Sequence, residues 1–174
     1  MKQVILIGFM GCGKSTVGIR LSYRIRRVVE DTDKRIEREQ KMTVSEIFAE
    51  KGEAFFRDLE TDLLRRMCEE KGEKIIATGG GLPLREENRN LLHKLGMVIY
   101  LRIQPENVYE RLKNDTTRPL LQGEDPLGKI RKLLGERAGI YESAADVIID
   151  VGEKNIEQIL DEITEAIGYE NFGN

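Results

Sequence analysis

Apolar residues are distributed along the chain in two ways. Unbroken runs stand at residues 4–7, 28–29, 75–77, 97–101 and 147–149. Runs this short, apolar at every position, fit strands that are covered on both faces. Between them, apolar residues recur at helical spacing. One such segment, 14–24, follows a glycine-rich stretch. In 53–71, Phe56, Leu59, Leu63, Leu64 and Met67 share a helical face, and Gly72 stands where a C′ glycine would close the helix. Segment 85–95 ends the same way at Gly96. Pro105 suits the first turn of a helix reaching 113. Thr43 with Glu46, ahead of Ile47 and Phe48, has capping-box spacing, and so does Asn155 with Gln158, ahead of Ile159, Leu160 and Ile163. Strand and helix alternating in this way predict an α/β fold, a mostly parallel sheet with helices on both faces. Residues 114–128 break the pattern. They hold two prolines and two glycines without apolar periodicity, and read as a loop long enough to be a lid.

The stretch Gly8-Phe9-Met10-Gly11-Cys12-Gly13-Lys14-Ser15 matches the phosphate-binding pattern G-x-x-x-x-G-K-S/T. An apolar strand precedes it and an amphipathic helix follows, as the chemistry requires. Glycines let consecutive backbone N–H groups turn toward phosphate oxygens. The helix starting near Lys14 adds the positive end of its dipole. Lys14 can reach the β- and γ-phosphates as a point charge. The Ser15 hydroxyl suits Mg²⁺, a hard ion that prefers oxygen. A nucleoside triphosphate is therefore the expected ligand.

Composition narrows the classes. The chain has 174 residues, enough for one domain with its own core. Charged residues make up 34% and the apolar set 40%, a balance that suits neither a disordered tail nor a membrane protein. No apolar run approaches the ~20 residues of a bilayer span. No signal peptide is evident, and a cytoplasmic protein is expected. Lys and Arg number 28 against 31 Asp and Glu, a net charge of −3 that argues against nucleic acid as the main partner. The two cysteines, Cys12 and Cys68, make no disulfide framework and fit a reducing compartment. Cys68 reads as a small buried helix residue. His93 lies on a polar segment and is given no catalytic role.

Three further groups could serve a triphosphate. Asp31-Thr32-Asp33 ends the second strand, where ligands of parallel sheets bind. If extended, its two carboxylates point the same way, one toward Mg²⁺ and one toward a substrate hydroxyl. A helix start with acidic first-turn residues is the other reading. Thr78-Gly79-Gly80-Gly81 follows the third strand and exposes backbone where a ligand could approach. Arg57, Arg118 and Arg137 carry the fork geometry that clamps a carboxylate or stabilises a transferring phosphoryl group.

Taken together, these features resemble the shikimate kinase family over nearly the whole chain. The resemblance rests on GFMGCGKST from Gly8, DTD from Asp31, FFRDLE from Phe55, ATGGG from Ala77, RPLL from Arg118 and ERAGIY from Glu136, in that order. It implies a three-layer fold of the nucleoside-monophosphate-kinase group, with a five-stranded parallel sheet, a helical substrate-binding segment at about 32–60 and a lid at about 112–126. It implies transfer of phosphate from ATP to the 3-hydroxyl of shikimate, in the synthesis of chorismate and aromatic amino acids. Carried over by position, Gly11, Cys12, Gly13, Lys14, Ser15 and Thr16 bind the nucleotide phosphates, and Ser15 ligates Mg²⁺ with Asp31 nearby. Asp33 holds shikimate hydroxyls and accepts the proton. Arg57 and Arg137 clamp the carboxylate, and Gly79, Gly80 and Gly81 line the substrate. Lys14 and Arg118 act on the transferring phosphate, and Arg111 and Lys154 fall near the adenine. The expected partners are shikimate and ATP, acting on a monomer without nucleic acid or membrane.

One departure stands before the acidic pair. The family generally has an apolar or aromatic residue there, and this chain has Glu30. A short second strand with a solvated edge is expected. Arg26 and Arg27 read as a solvated helix end. Two other functions stay open: a gluconate kinase of the same fold group, and a non-catalytic module that binds ATP to regulate a partner.

Overall fold

The computed structural model describes residues 3–118 and 121–169. Pro119 and Leu120 of the RPLL motif, and residues 170–174, lie outside the described residues. Among the described residues five strands form one parallel sheet. β1 (Gln3–Ile7) is central, β2 (Val28–Asp31) and β3 (Lys74–Ala77) lie on one side, and β4 (Gly96–Arg102) and β5 (Val147–Asp150) on the other. Ile5 pairs with Ile76 and with Val98. Successive strand residues point to opposite faces, and Val4, Ile5, Leu6 and Ile7 are all buried. Helices therefore cover the sheet on both faces, as predicted.

α1 (Lys14–Ile25) turns Val17, Leu21 and Ile25 inward and packs on β3. α8 (Ile156–Ala166) lies against it, tied by Arg24 to Glu157 and Asp161. After β2 come α2 (Thr32–Gln40), α3 (Val44–Lys51) and α4 (Glu53–Glu69), a helical segment hung on an edge strand. α5 (Glu86–Leu95) and α7 (Pro126–Ala144) pack on β4, and α6 (Pro105–Leu112) lies beside α7. The capping boxes at Thr43 with Glu46 and Asn155 with Gln158 form as the spacing predicts. No helix among the described residues is long and apolar enough to cross a membrane.

Three expectations change. α4 stops at Glu69 and does not reach Gly72. Glu70 is extended, and its carboxylate accepts from Arg35 at 2.6 Å and Lys74 at 2.8 Å, an ionic pull that favours leaving the helix. Gly96 is not a left-handed cap, since its φ of 176° is extended and it opens β4. Glycine is required there because a Cβ would collide with the Gln3 carbonyl. Cys68 is exposed on α4, not buried. Of the two readings of Asp31-Thr32-Asp33, the helix start is the one that forms. Asp31 ends β2 and caps α2, its Oδ1 accepting the Lys34 N–H at 3.1 Å, while Asp33 sits in the first turn.

The Glu30 departure has a partner set. Its carboxylate accepts from Arg35 at 2.8 Å and from Lys74 at 2.9 Å. β2 is four residues long, with an exposed Val28 at its start, so the edge is short and solvated as expected.

Candidate active site

All five strands run the same way, so the turns after β1, β2 and β3 meet at one edge. The turn after β1 is the glycine loop. Gly11 and Gly13 take left-handed φ values of 76° and 98°, which side-chain-bearing residues rarely adopt. Lys14 Nζ donates to the Gly8 and Phe9 carbonyls at 2.6 and 3.0 Å, holding the ammonium over the loop. Ser15 Oγ donates to Asp31 Oδ2 at 3.4 Å. A hydroxyl beside a carboxylate is a pair of hard oxygen donors, and that chemistry fits Mg²⁺.

The turn after β2 presents Asp33. Thr32 is buried beneath it and accepts the Gly79 N–H at 3.0 Å, which ties the start of α2 to the turn after β3. A Cβ on Gly79 would lie 2.5 Å from Asp33 Oδ1, so glycine makes room for the carboxylate. That oxygen is enclosed and has no hydrogen-bond partner among the described residues. Burial, reinforced by Asp31, pushes the Asp33 carboxyl up to about 6, against the pull of Lys14 and Arg57.

α4 supplies the next groups. Arg57 Nη1 donates to Glu60 Oε2 at 2.7 Å and Nη2 to Glu53 Oε1 at 3.2 Å. Its guanidinium lies 5.5 Å from the Phe56 ring and 5.9 Å from that of Phe48, a partly apolar seat. Glu60 is fully buried, and burial pushes it up to about 7 although Arg57 pulls it down. From α7, Arg137 reaches the same space and Tyr141 donates to the Gly80 carbonyl at 2.6 Å. Arg118 enters from the loop before α7, its Nε donating to Asp115 Oδ2 at 3.1 Å.

These groups line one cavity of about 630 Å³. The glycine-loop side contributes Gly11, Gly13, Lys14, Ser15 and Thr16, with Asp31 beside them. The other side contributes Asp33, Arg57, Gly79, Gly80, Gly81 and Arg137, with Arg118 completing the wall. Four side chains are cationic (Lys14, Arg57, Arg118, Arg137) and four acidic (Asp31, Asp33, Glu53, Glu60). Three expected residues lie elsewhere. The Cys12 side chain is buried beneath the loop, so Cys12 offers the cavity no side-chain contact. Arg111 stands outside the wall, donating to the Gly11 and Val151 carbonyls at 3.1 and 3.2 Å. Lys154 is paired with Glu162 at 2.6 Å, away from the cavity.

Sequence reasoning missed Glu60, Glu53 and Tyr141 as parts of the site. A signal existed for the two glutamates: on a helix both stand one turn from Arg57.

Residues 10–168 match the family model described as shikimate kinase. A shikimate kinase of Bacillus cereus (strain AH187) is 42% identical over 167 residues, 96% of this chain and 99% of the relative. One from Trichormus variabilis is 45% identical, covering 95% of this chain and 90% of the relative. The solved structure of a shikimate kinase from Acinetobacter baumannii in complex with shikimate superposes with a TM-score of 0.89. It shares 34% identity, covering 99% of this chain and 96% of that one.

Proposed function

The chain belongs to the shikimate kinase family, and from that premise we propose how its cavity moves a phosphoryl group from ATP to the 3-hydroxyl of shikimate. One observation carries the assignment of roles. The phosphate-binding loop and a cluster of two arginines with a buried aspartate open into the same cavity. Shikimate has one carboxylate and three hydroxyls, which two guanidinium forks, one carboxylate and a glycine backbone complement.

In this reading Arg57 and Arg137 hold the substrate carboxylate, and Asp33 faces the reacting hydroxyl. The hydroxyl oxygen attacks the γ-phosphorus, the bond to the β-phosphate oxygen breaks, and ADP departs. The proton passes to Asp33, which is mostly ionised above pH about 6. Phosphoryl transfer has a loose transition state, so positioning and charge neutralisation dominate. In this reading that work falls to Lys14 and Arg118. Thr16 and the backbone of Gly11, Cys12 and Gly13 bind phosphate oxygens. Mg²⁺ would be held by Ser15, with Asp31 directly or through water, and supplies neutralisation of the phosphate charge. Residues 32–60 serve as the substrate-binding segment and 112–126 as the lid. Arg111 packs beside the loop on the side where the adenine is expected. A monomer is proposed as the working unit.

The test is a coupled ADP-release assay with Mg-ATP, comparing shikimate, gluconate and quinate. Turnover on shikimate alone is expected. Gluconate turnover at a comparable kcat/KM would overturn the substrate assignment, and ATP binding without turnover would favour a regulatory module.

A further inference from the structure

We infer that Glu60 takes up a proton when the substrate carboxylate docks on Arg57. The inference rests on the functional reading above, which puts that carboxylate at Arg57. The Arg57 guanidinium already serves two carboxylates, Glu60 Oε2 at 2.7 Å and Glu53 Oε1 at 3.2 Å. The substrate brings a third anion to one cation, and the two glutamates differ in how they can respond. Glu53 has 61% of its side chain exposed and can swing into water. Glu60 has none exposed and is held one helical turn from Arg57. Its second oxygen, Oε1, is enclosed without a hydrogen-bond partner among the described residues, so there the buried charge is stabilised on one side only.

The groups acting on Glu60 leave protonation as its route to neutrality. From α4 comes Arg57, which Glu53 also engages, and from α2 comes Asp33, a second carboxylate that repels Glu60. From the turn before α5 comes Arg85, whose Nη1 is engaged by Asp58 at 2.7 Å and Thr61 at 3.3 Å. Burial already lifts the Glu60 carboxyl to about 7. Sharing Arg57 with the substrate weakens the pull that keeps it ionised and raises it further. The proton comes from solvent and goes to Oε1, while Oε2 stays on Arg57. Linkage fixes the sign. A complex that binds an extra proton weakens as pH rises, by up to about tenfold in Kd per pH unit between the two pKa values.

Calorimetric titration of shikimate into the wild-type protein, in buffers of different ionisation enthalpy at about pH 7 to 9, measures proton uptake and Kd together. Uptake of a substantial fraction of one proton is expected, with Kd rising across that range. Glu60→Gln should abolish the uptake and hold Kd within about twofold over the same range. Shikimate methyl ester, which lacks the anion, should bind wild type without uptake. That control decides the matter if the variant does not fold. Tight shikimate binding without uptake overturns the inference and leaves the functional reading intact. Uptake that persists in Glu60→Gln, or that the ester reproduces, also overturns it. Failure of wild type to bind shikimate at all removes the functional reading and the inference with it.

Discussion

The phosphate end of the cavity is built mainly on one stretch of chain, residues 8–16, with Asp31 beside it, and much of its chemistry is backbone. The acid end is gathered from α2, α4, the turn after β3 and α7, and its chemistry is side chains. The first end needs only a local conformation, set by left-handed Gly11 and Gly13 and the start of α1. The second needs the whole fold to bring Asp33, Arg57, Glu60 and Arg137 together. They differ in energetics too. Lys14 hydrogen-bonds two carbonyls of its own loop. Asp33 and Glu60 each bury an oxygen that has no partner among the described residues. Phosphate binding thus sits on a satisfied local turn, while acid recognition carries buried charge at a cost in stability.

The largest expected effect comes from the phosphate end. Lys14→Met should lower kcat by about 10³-fold, the scale for removing a preorganised donor to the reacting group. Shikimate affinity, measured by calorimetry without nucleotide, should hold within about twofold. A matching loss of shikimate affinity would show that the two ends are not independent.

Asp33→Asn addresses the other end and should do two opposite things. It removes the proposed proton acceptor, and kcat should fall by about 10²-fold. It also removes a buried charge. The Asp33 carboxyl is raised in the folded protein, so the folded state binds the proton more tightly than the unfolded chain does. Its contribution to stability is present below about pH 4 and is lost as pH rises through about 6. The variant should therefore be more stable than wild type at about pH 8, by about 1–2 kcal/mol, and no more stable near pH 4. Chemical denaturation at the two pH values checks this. A variant less stable at both would mean that the carboxylate is well satisfied in the native state. Unchanged kcat would remove Asp33 from proton transfer.

The same contrast explains what the sequence made legible. The glycine loop could be read residue by residue, because spacing along one segment is its structure. The five strands were visible as apolar runs, and both capping boxes formed where the spacing put them. α2 was harder. Thr32 and Ile36 are its buried residues, and its Asp-Thr-Asp start satisfies an extended and a helical reading equally well. α7 carries three glycines, Gly128, Gly135 and Gly139, and a weak apolar stripe, which hid a helix of 19 residues. At the acid end, residue types alone left each arginine ambiguous. Only the ordered set of motifs gave them roles, and Glu60 stayed unassigned because its importance lies in burial. Burial depends on α5 and the Leu82–Leu84 turn closing over α4, which no spacing within α4 reveals.

The smallest expected effect lies at the rim of the phosphate end, where two basic residues matched the resemblance equally and the structure separates them. Arg111 donates to Gly11 within the loop and to Val151 at the end of β5, so it braces the loop that holds the phosphates. Lys154 pairs with Glu162 on α8, and 32% of its side chain is exposed. A partly exposed pair of this kind contributes little, roughly 0–1 kcal/mol. Arg111→Ala leaves two carbonyls without their donor and frees the loop to move. It should raise the KM for ATP by about 5- to 10-fold, equivalent to losing one charge-assisted contact of about 1 kcal/mol. The KM for shikimate should stay put. Lys154→Ala should change the KM for ATP by less than about twofold, in keeping with a contact worth a few tenths of a kcal/mol. Steady-state kinetics with ATP varied at saturating shikimate distinguishes them. Equal increases for both variants would mean that the nucleotide reaches past the loop to Lys154, drawing it from Glu162. The phosphate end would then extend beyond its local turn and depend on α8 as the acid end depends on α7.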